Sequence, residues 1–235
     1  MTPAQRKQGG RRAPLCFALL LAAGLSAGVA AAERDFAAAV AASAGAEIVA
    51  LDDRLTEAGR VALGAPLAAL AVFDPADGLA YVAMRDGRVL KVDLRRGAVS
   101  GEARVGGEAN AIVASSDGRY LAIAVASPPS LVVLDRDLRV ERKLPALDVD
   151  GRRTSAVAAV IDLPNRSSFL AALPGLPEAW EVSYDDAAPP IFPGLVHDYR
   201  FGEAIAVPGK LNPRRVPLET PVDDLQLGRL QNRIP

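Results

Sequence analysis

The sequence predicts an all-β chain of repeated four-stranded units, the blades of a β-propeller, and three observations carry that prediction. Four short β-rich runs recur with acidic turns at or beside their ends: Glu47–Asp52, Arg88–Asp93, Ser130–Asp135 and Ala179–Tyr184, with start-to-start offsets of 41, 42 and 49 residues. A second piece recurs between them. Val72–Val82 matches Val113–Leu121, each with an Asp-Gly pair between apolar flanks, and Val160–Leu170 is a degenerate third copy. Glycine accepts the positive φ of a tight turn, so each Asp-Gly is a hairpin signal. Helical periodicity is poor throughout, and the turns return too often for long helices. A β-sandwich also turns every 8–12 residues, but it does not require one turn to recur in register at near-constant spacing.

Residues 1–32 read as an export signal. Arg6, Lys7, Arg11 and Arg12 form a cationic start, Leu15 to Leu25 is an apolar run of 11 residues, and Ala30-Ala31-Ala32 supplies a small-residue cleavage pattern. The alternative is a membrane anchor, which needs ~20 apolar residues. Ala13 to Ala32 reaches that length only by counting Ala, Gly and Ser. Cleavage near Glu33 is expected, with a periplasmic product and no membrane association afterwards. Sec and twin-arginine export are not distinguished by Arg11-Arg12.

Composition narrows the function. Of 235 residues, 50% are hydrophobic and 23% charged, which suits a buried core and excludes a disordered chain. Lys plus Arg is 27 against 28 for Asp plus Glu, so no basic excess points to nucleic acid. His197 and Cys16 are the only residues of their kinds, which excludes an intramolecular disulfide, a Cys-based zinc site and a C-x-x-C-H haem attachment.

Along the chain, the Ala-rich stretch 35–46 reads as a short helix or as an outer closing strand. Residues 33–184 then carry the partial propeller. Within Arg88–Asp93, Val89, Leu90 and Val92 stand among Arg88, Lys91 and Asp93, as a half-buried strand requires. Residues 185–224 hold seven prolines, from Pro189 to Pro221. Proline lacks the N–H that a central ladder needs, so this stretch reads as a long insertion loop rather than a blade. Residues 225–235 do not continue the pattern and read as a separate tail.

The segment Arg153–Arg166, followed by Phe169-Leu-Ala-Ala172 and Ala179–Tyr184, resembles the haem-d1 propeller of cytochrome-type nitrite reductase and its relatives in haem-d1 biosynthesis; the Asp-Gly units also resemble YVTN-type repeats. The resemblance covers roughly residues 45 to 224 and implies eight blades around a haem d1. It also implies an iron-ligating histidine near Ile161 to Phe169, where this chain has Pro164, Asn165 and Arg166. The biosynthesis relatives are therefore the better match. The implied role is binding or handling a tetrapyrrole in connection with nitrite reduction, alongside a periplasmic cytochrome or nitrite reductase. A divergent nitrite reductase subunit and a non-catalytic scaffold are the alternatives, and no catalytic residue is assigned.

His197 is the candidate iron ligand, with Asp198 placed to orient it. Arg214 and Arg215 are candidate clamps for the carboxylates of haem d1, because guanidinium forks match carboxylates. Their other reading is a loop pair bonded to Glu203, Glu219 or Asp223. Arg152-Arg153 has the same two readings. Trp180 and Tyr184 read as blade-interface residues, and Asp148-Val-Asp-Gly151 as a turn. At about 40–45 residues per blade, three to four blades of the eight are present. The chain is thus expected to be an N-terminal fragment of a longer propeller.

Overall fold

The computed structural model describes residues 38–42, 46–74, 77–192 and 206–225. Residues 1–32, expected to be an export signal, His197 and residues 226–235 lie outside them. The described residues form fifteen strands and no α-helix. The strands are β1 (Ala38–Ala42), β2 (Glu47–Leu51), β3 (Glu57–Ala62), β4 (Leu67–Asp74), β5 (Leu79–Met84), β6 (Arg88–Asp93), β7 (Ala98–Arg104) and β8 (Ala109–Ala114). They continue with β9 (Tyr120–Val125), β10 (Ser130–Asp135), β11 (Val140–Pro145), β12 (Ala159–Leu163), β13 (Ser168–Ala172), β14 (Glu178–Ser183) and β15 (Pro213–Pro217).

They form four antiparallel meanders in chain order: β1-β2-β3, β4 to β7, β8 to β11, and β12 to β15. The first strands of successive sheets touch, β4 beside β8 and β8 beside β12. These are blades of a β-propeller, as the repeat predicts. The four aligned runs become β2, β6, β10 and β14, the third strand of each blade. β1 meets β4 as β5 meets β8 and β9 meets β12, which puts β1 in the second place of its blade. The Ala-rich stretch is therefore strand in its central part, neither a helix nor an outer closing strand but in the second place of its blade.

The hairpins form where the Asp-Gly signals stand. Gly78 and Gly118 have φ of 64° and 69°. The degenerate copy turns through a short 3-10 segment, Pro164–Arg166, with Ser167 at φ 45° in place of a glycine.

The reading of residues 185–224 as loop throughout needs correction. Pro213–Pro217 is β15, paired with β14 from Pro213↔Val182 to Pro217↔Glu178. Its prolines stand at the two ends of an outermost strand, where a missing N–H breaks no interior ladder.

Successive side chains of the central strands turn to opposite faces of their sheet, and the described core falls into three seams. The first seam joins Ile48, Ala50 and Val61 to Val82, Met84 and Val92. The second joins Tyr81, Ala83 and Val89 to Ile123, Val132 and Leu134. The third joins Ala122, Leu131 and Val133 to Phe169, Trp180 and Tyr184. Polar ties run along the seams as well. Asp77 pairs with Arg136, Arg119 Nη1 lies 2.8 Å from Asp186, and Arg142 Nη2 donates to Asn212 at 2.7 Å. Each tie joins one blade to the next.

Candidate functional site

The fourth blade puts Trp180 and Val182 on the seam side, so Glu181 between them faces the other way. Glu181 is only 6% exposed. A buried carboxylate is costly unless it is paired. Arg166, from the turn between β12 and β13, donates through Nε at 2.6 Å and through Nη2 at 3.1 Å. Arg214, its cross-strand neighbour on β15, pairs with the second carboxylate oxygen. Both arginines stay more than half exposed, so their remaining N–H groups open onto a cavity of about 350 Å³. Ser168, Ser183, Ile191 and Asn212 complete much of its wall. That volume falls within the range of small-molecule sites, roughly 300–1,000 Å³. Chemically, the cavity offers guanidinium donors and hydroxyls for an anionic or carboxylate-bearing group.

A second polar cluster lies in the seam between the third and fourth blades. The Tyr184 hydroxyl donates to Asp162 Oδ1 at 2.7 Å and accepts from Ser116 Oγ at 2.9 Å. Tyr184 is almost fully buried, and its ring lies 5.1 Å from that of Phe169. Burial pushes the Asp162 carboxyl above the usual carboxylate range, with the Tyr184 hydrogen bond pulling the other way. Burial pushes the Tyr184 phenol up as well. Among the described residues no cluster of His, Cys, Asp or Glu would hold a metal ion. No helix among them is long and apolar enough to cross a membrane.

Residues 33–197 match the family described as the Cytochrome D1 heme domain. The chain belongs to that family. A protein named dihydro-heme d1 dehydrogenase from Pseudomonas aeruginosa is 39% identical over 118 residues, which is 50% of this chain and 24% of that protein. Protein NirF of Stutzerimonas stutzeri is 32% identical over 121 residues, 51% of this chain and 31% of that protein. Among solved structures, dihydro-heme d1 dehydrogenase NirN in complex with DHE superposes with a TM-score of 0.66 at 29% identity, covering 81% of this chain and 37% of that one. The chain thus spans about a quarter to a third of the curated relatives it matches.

The match to the family ends at the residue that sequence reasoning had chosen as iron ligand. His197 lies outside the described residues; the described ends of its stretch approach each other at the Ile191↔Val207 bridge, and Ile191 borders the arginine-lined cavity. Arg214 and Arg215 do not form one clamp. As neighbours on a strand they take opposite faces, Arg214 toward Glu181 and Arg215 toward the seam. Arg215 lies over the Trp180 ring at 5.2 Å, donates to Leu147 O at 2.9 Å and pairs with Glu178. Among the described residues neither arginine is bonded to Glu219 or Asp223 as the loop reading supposed; Glu203 lies outside them. Arg153 is bonded to Asp148 at 3.0 Å, closing the Asp148–Gly151 turn. Trp180 and Tyr184 are seam residues, as expected. Arg166, Glu181 and Asp162 were not foreseen. Strand alternation around Trp180 was the signal available for Glu181; the partners of Arg166 and Asp162 come from tertiary structure.

Proposed function

We propose that this chain takes part in binding or handling a haem-d1-type tetrapyrrole in connection with nitrite reduction, and that it acts in the periplasm beside a cytochrome or nitrite reductase. The observation that carries this reading is the superposition, at 29% identity, on a dehydrogenase of the same family in complex with DHE. The fit of the described residues is to the rim of such a group. Arg166 and Arg214 present spare donors to a cavity, and guanidinium suits the carboxylate arms of a tetrapyrrole. Iron ligation rests on His197, outside the described residues. When bound, the tetrapyrrole would supply the redox-active centre, while the chain's own residues orient it and limit solvent. Glu181 has a distinct part here. It keeps both arginines extended over the cavity when no carboxylate is bound, so a ligand carboxylate competes with it rather than ordering loose side chains.

Absorption titration of the full chain with haem d1 tests the proposal. A saturable spectral change is expected. His197→Ala should alter the bound spectrum, and Arg214→Ala should weaken affinity while leaving the spectrum intact. No saturable change in the wild type sinks the reading. Steady-state turnover of nitrite with a reduced donor would favour the reductase alternative. Periplasmic export rests on the charge pattern of residues 1–32. N-terminal sequencing should find a start near Glu33, and a product beginning at Met1 or Thr2 would refute it.

A further inference from the structure

The cavity beside Glu181 has two walls with different supports. One is the fourth blade itself, through Arg166, Glu181 and Arg214. The other is built by the two described limbs of the excursion from β14 to β15. Residues 185–192 contribute Ala188, Pro189 and Ile191 to it, and residues 206–212 contribute Gly209 and Asn212. The limbs hold each other. Ile191 and Val207 exchange two N–H···O bonds, both at 2.9 Å, and a Cβ added at Gly209 would fall 2.0 Å from Pro189 O. This wall is therefore one unit.

The third blade fixes that unit in place. Leu211 is held at φ 54°, where a non-glycine residue is uncommon. Its side chain is sunk in the third seam, and its N–H donates to Ser183 O at 2.7 Å. Asp186 on the first limb takes Lys210 from the second limb on one oxygen and Arg119 from the third blade on the other. Asn212 is buried, and its side-chain amide is used at both ends. Nδ2 donates to Pro208 O at 2.9 Å, while Oδ1 accepts from Arg142 Nη2 at 2.7 Å. Arg142 stands on β11 of the third blade, is exposed, and forms no part of the cavity wall. Backbone strain such as that at Leu211 persists only where the surroundings over-determine it, and it collects at ligand sites. Asn212 is where those surroundings meet the cavity.

We propose that Arg142 is a positioning residue for this cavity: acting through Asn212, it presets the limb wall against the arginines of the fourth blade and so raises the affinity for a carboxylate-bearing tetrapyrrole. The proposal rests on the tetrapyrrole reading above. Arg142 itself touches no ligand. Its hydrogen bond orders the wall in advance, so a ligand does not have to order it on arrival, and a cost that would otherwise weaken binding is removed.

Absorption titration of the full chain and its variants with haem d1 tests this. Arg142→Met should raise Kd roughly tenfold while leaving the bound spectrum unchanged, because no iron ligand is altered. Arg142 is exposed, so the thermal transition should barely move. Asn212→Leu should also raise Kd, and the double variant should bind no more weakly than the weaker single one, since both act through one bond. Lys143→Met removes the same charge from the next, equally exposed position of β11 and should bind as the wild type does. An equal loss in Lys143→Met would make the effect one of overall charge and overturn the proposal, as would additive losses in the double variant. A wild type without a saturable spectral change sinks the tetrapyrrole reading and this proposal with it. A wild type that binds, with Arg142→Met binding equally well, overturns this proposal alone.

Discussion

Removing one oxygen at Tyr184 tests the polar seam between the third and fourth blades. Tyr184→Phe keeps the ring against Phe169 and deletes the O–H that donates to Asp162 at 2.7 Å. A hydrogen bond to a charged acceptor contributes roughly 1.5–3 kcal/mol. Asp162 is half-buried, so water partly replaces the lost donor and the lower end applies, about 1.5 kcal/mol. In a chain of 235 residues that lowers Tm by about 3–6 °C. The loss should also depend on pH. Burial already holds the Asp162 carboxyl above its unfolded range, and Tyr184 pulls it back, so the variant's carboxyl titrates higher still. The folded state then binds its proton before the unfolded state does. The stability contributed by that protonation is full below the unfolded carboxylate range, near ~3.9, and is lost as pH rises through the raised folded value. The penalty of Tyr184→Phe is therefore greatest at neutral pH and shrinks on acidification through that window. Thermal melts of the wild type, Tyr184→Phe, Asp162→Asn and the double variant measure it. A penalty that is the same at every pH, or in the Asp162→Asn background, would refute the reasoning.

Asp148 should behave in the opposite sense. Its hydrogen bond from Arg153, with backbone N–H groups of Arg153 and Arg152, holds the carboxyl down at about 2. Its contribution is present above the unfolded value and is lost as pH falls toward 2; acid titration of Asp148→Asn should show a flatter decline than the wild type. Trp180→Ala empties a fully buried site in the third seam and should cost about 3–5 kcal/mol by denaturant unfolding, well above the Tyr184→Phe loss. At Gly107 an added Cβ would fall inside the van der Waals shell of Ser127 O. Gly107→Ala should therefore destabilise by roughly 1–3 kcal/mol, whereas Gly97→Ser, whose Cβ position is open but whose φ is 65°, should show backbone strain without a clash.

Strands with short apolar runs between polar ends announced themselves. Arg88–Asp93 and Ser130–Asp135 have the expected bounds as β6 and β10, because their apolar side chains are set between charged or polar ends. The outermost strands did not. β11 is largely exposed, β7 nearly so, and neither carries a strong apolar signal. β15 was hidden by its own prolines, since the rule against proline in a ladder says nothing of a strand that ends on one. The candidate site was less readable for a related reason. Arg214 was visible as a guanidinium but not as the partner of Glu181, 33 residues away in sequence. Arg215, one residue on, is diverted to Trp180. Adjacent arginines look like a unit in sequence and become opposites on a pleated strand.

The three-seam core has an evolutionary corollary. Because every buried cluster is shared by just two successive sheets, natural selection on any one blade is exerted mainly by its immediate neighbours. A duplicated stretch of about one repeat could enter between two blades and meet, on each side, a surface already suited to it. Gain or loss of a whole blade then demands less simultaneous change than a single new side chain in a centrally packed protein, where every neighbour must accommodate it. The tandem spacing still visible between Glu47, Arg88 and Ser130 is what a lineage of such copying events would leave behind.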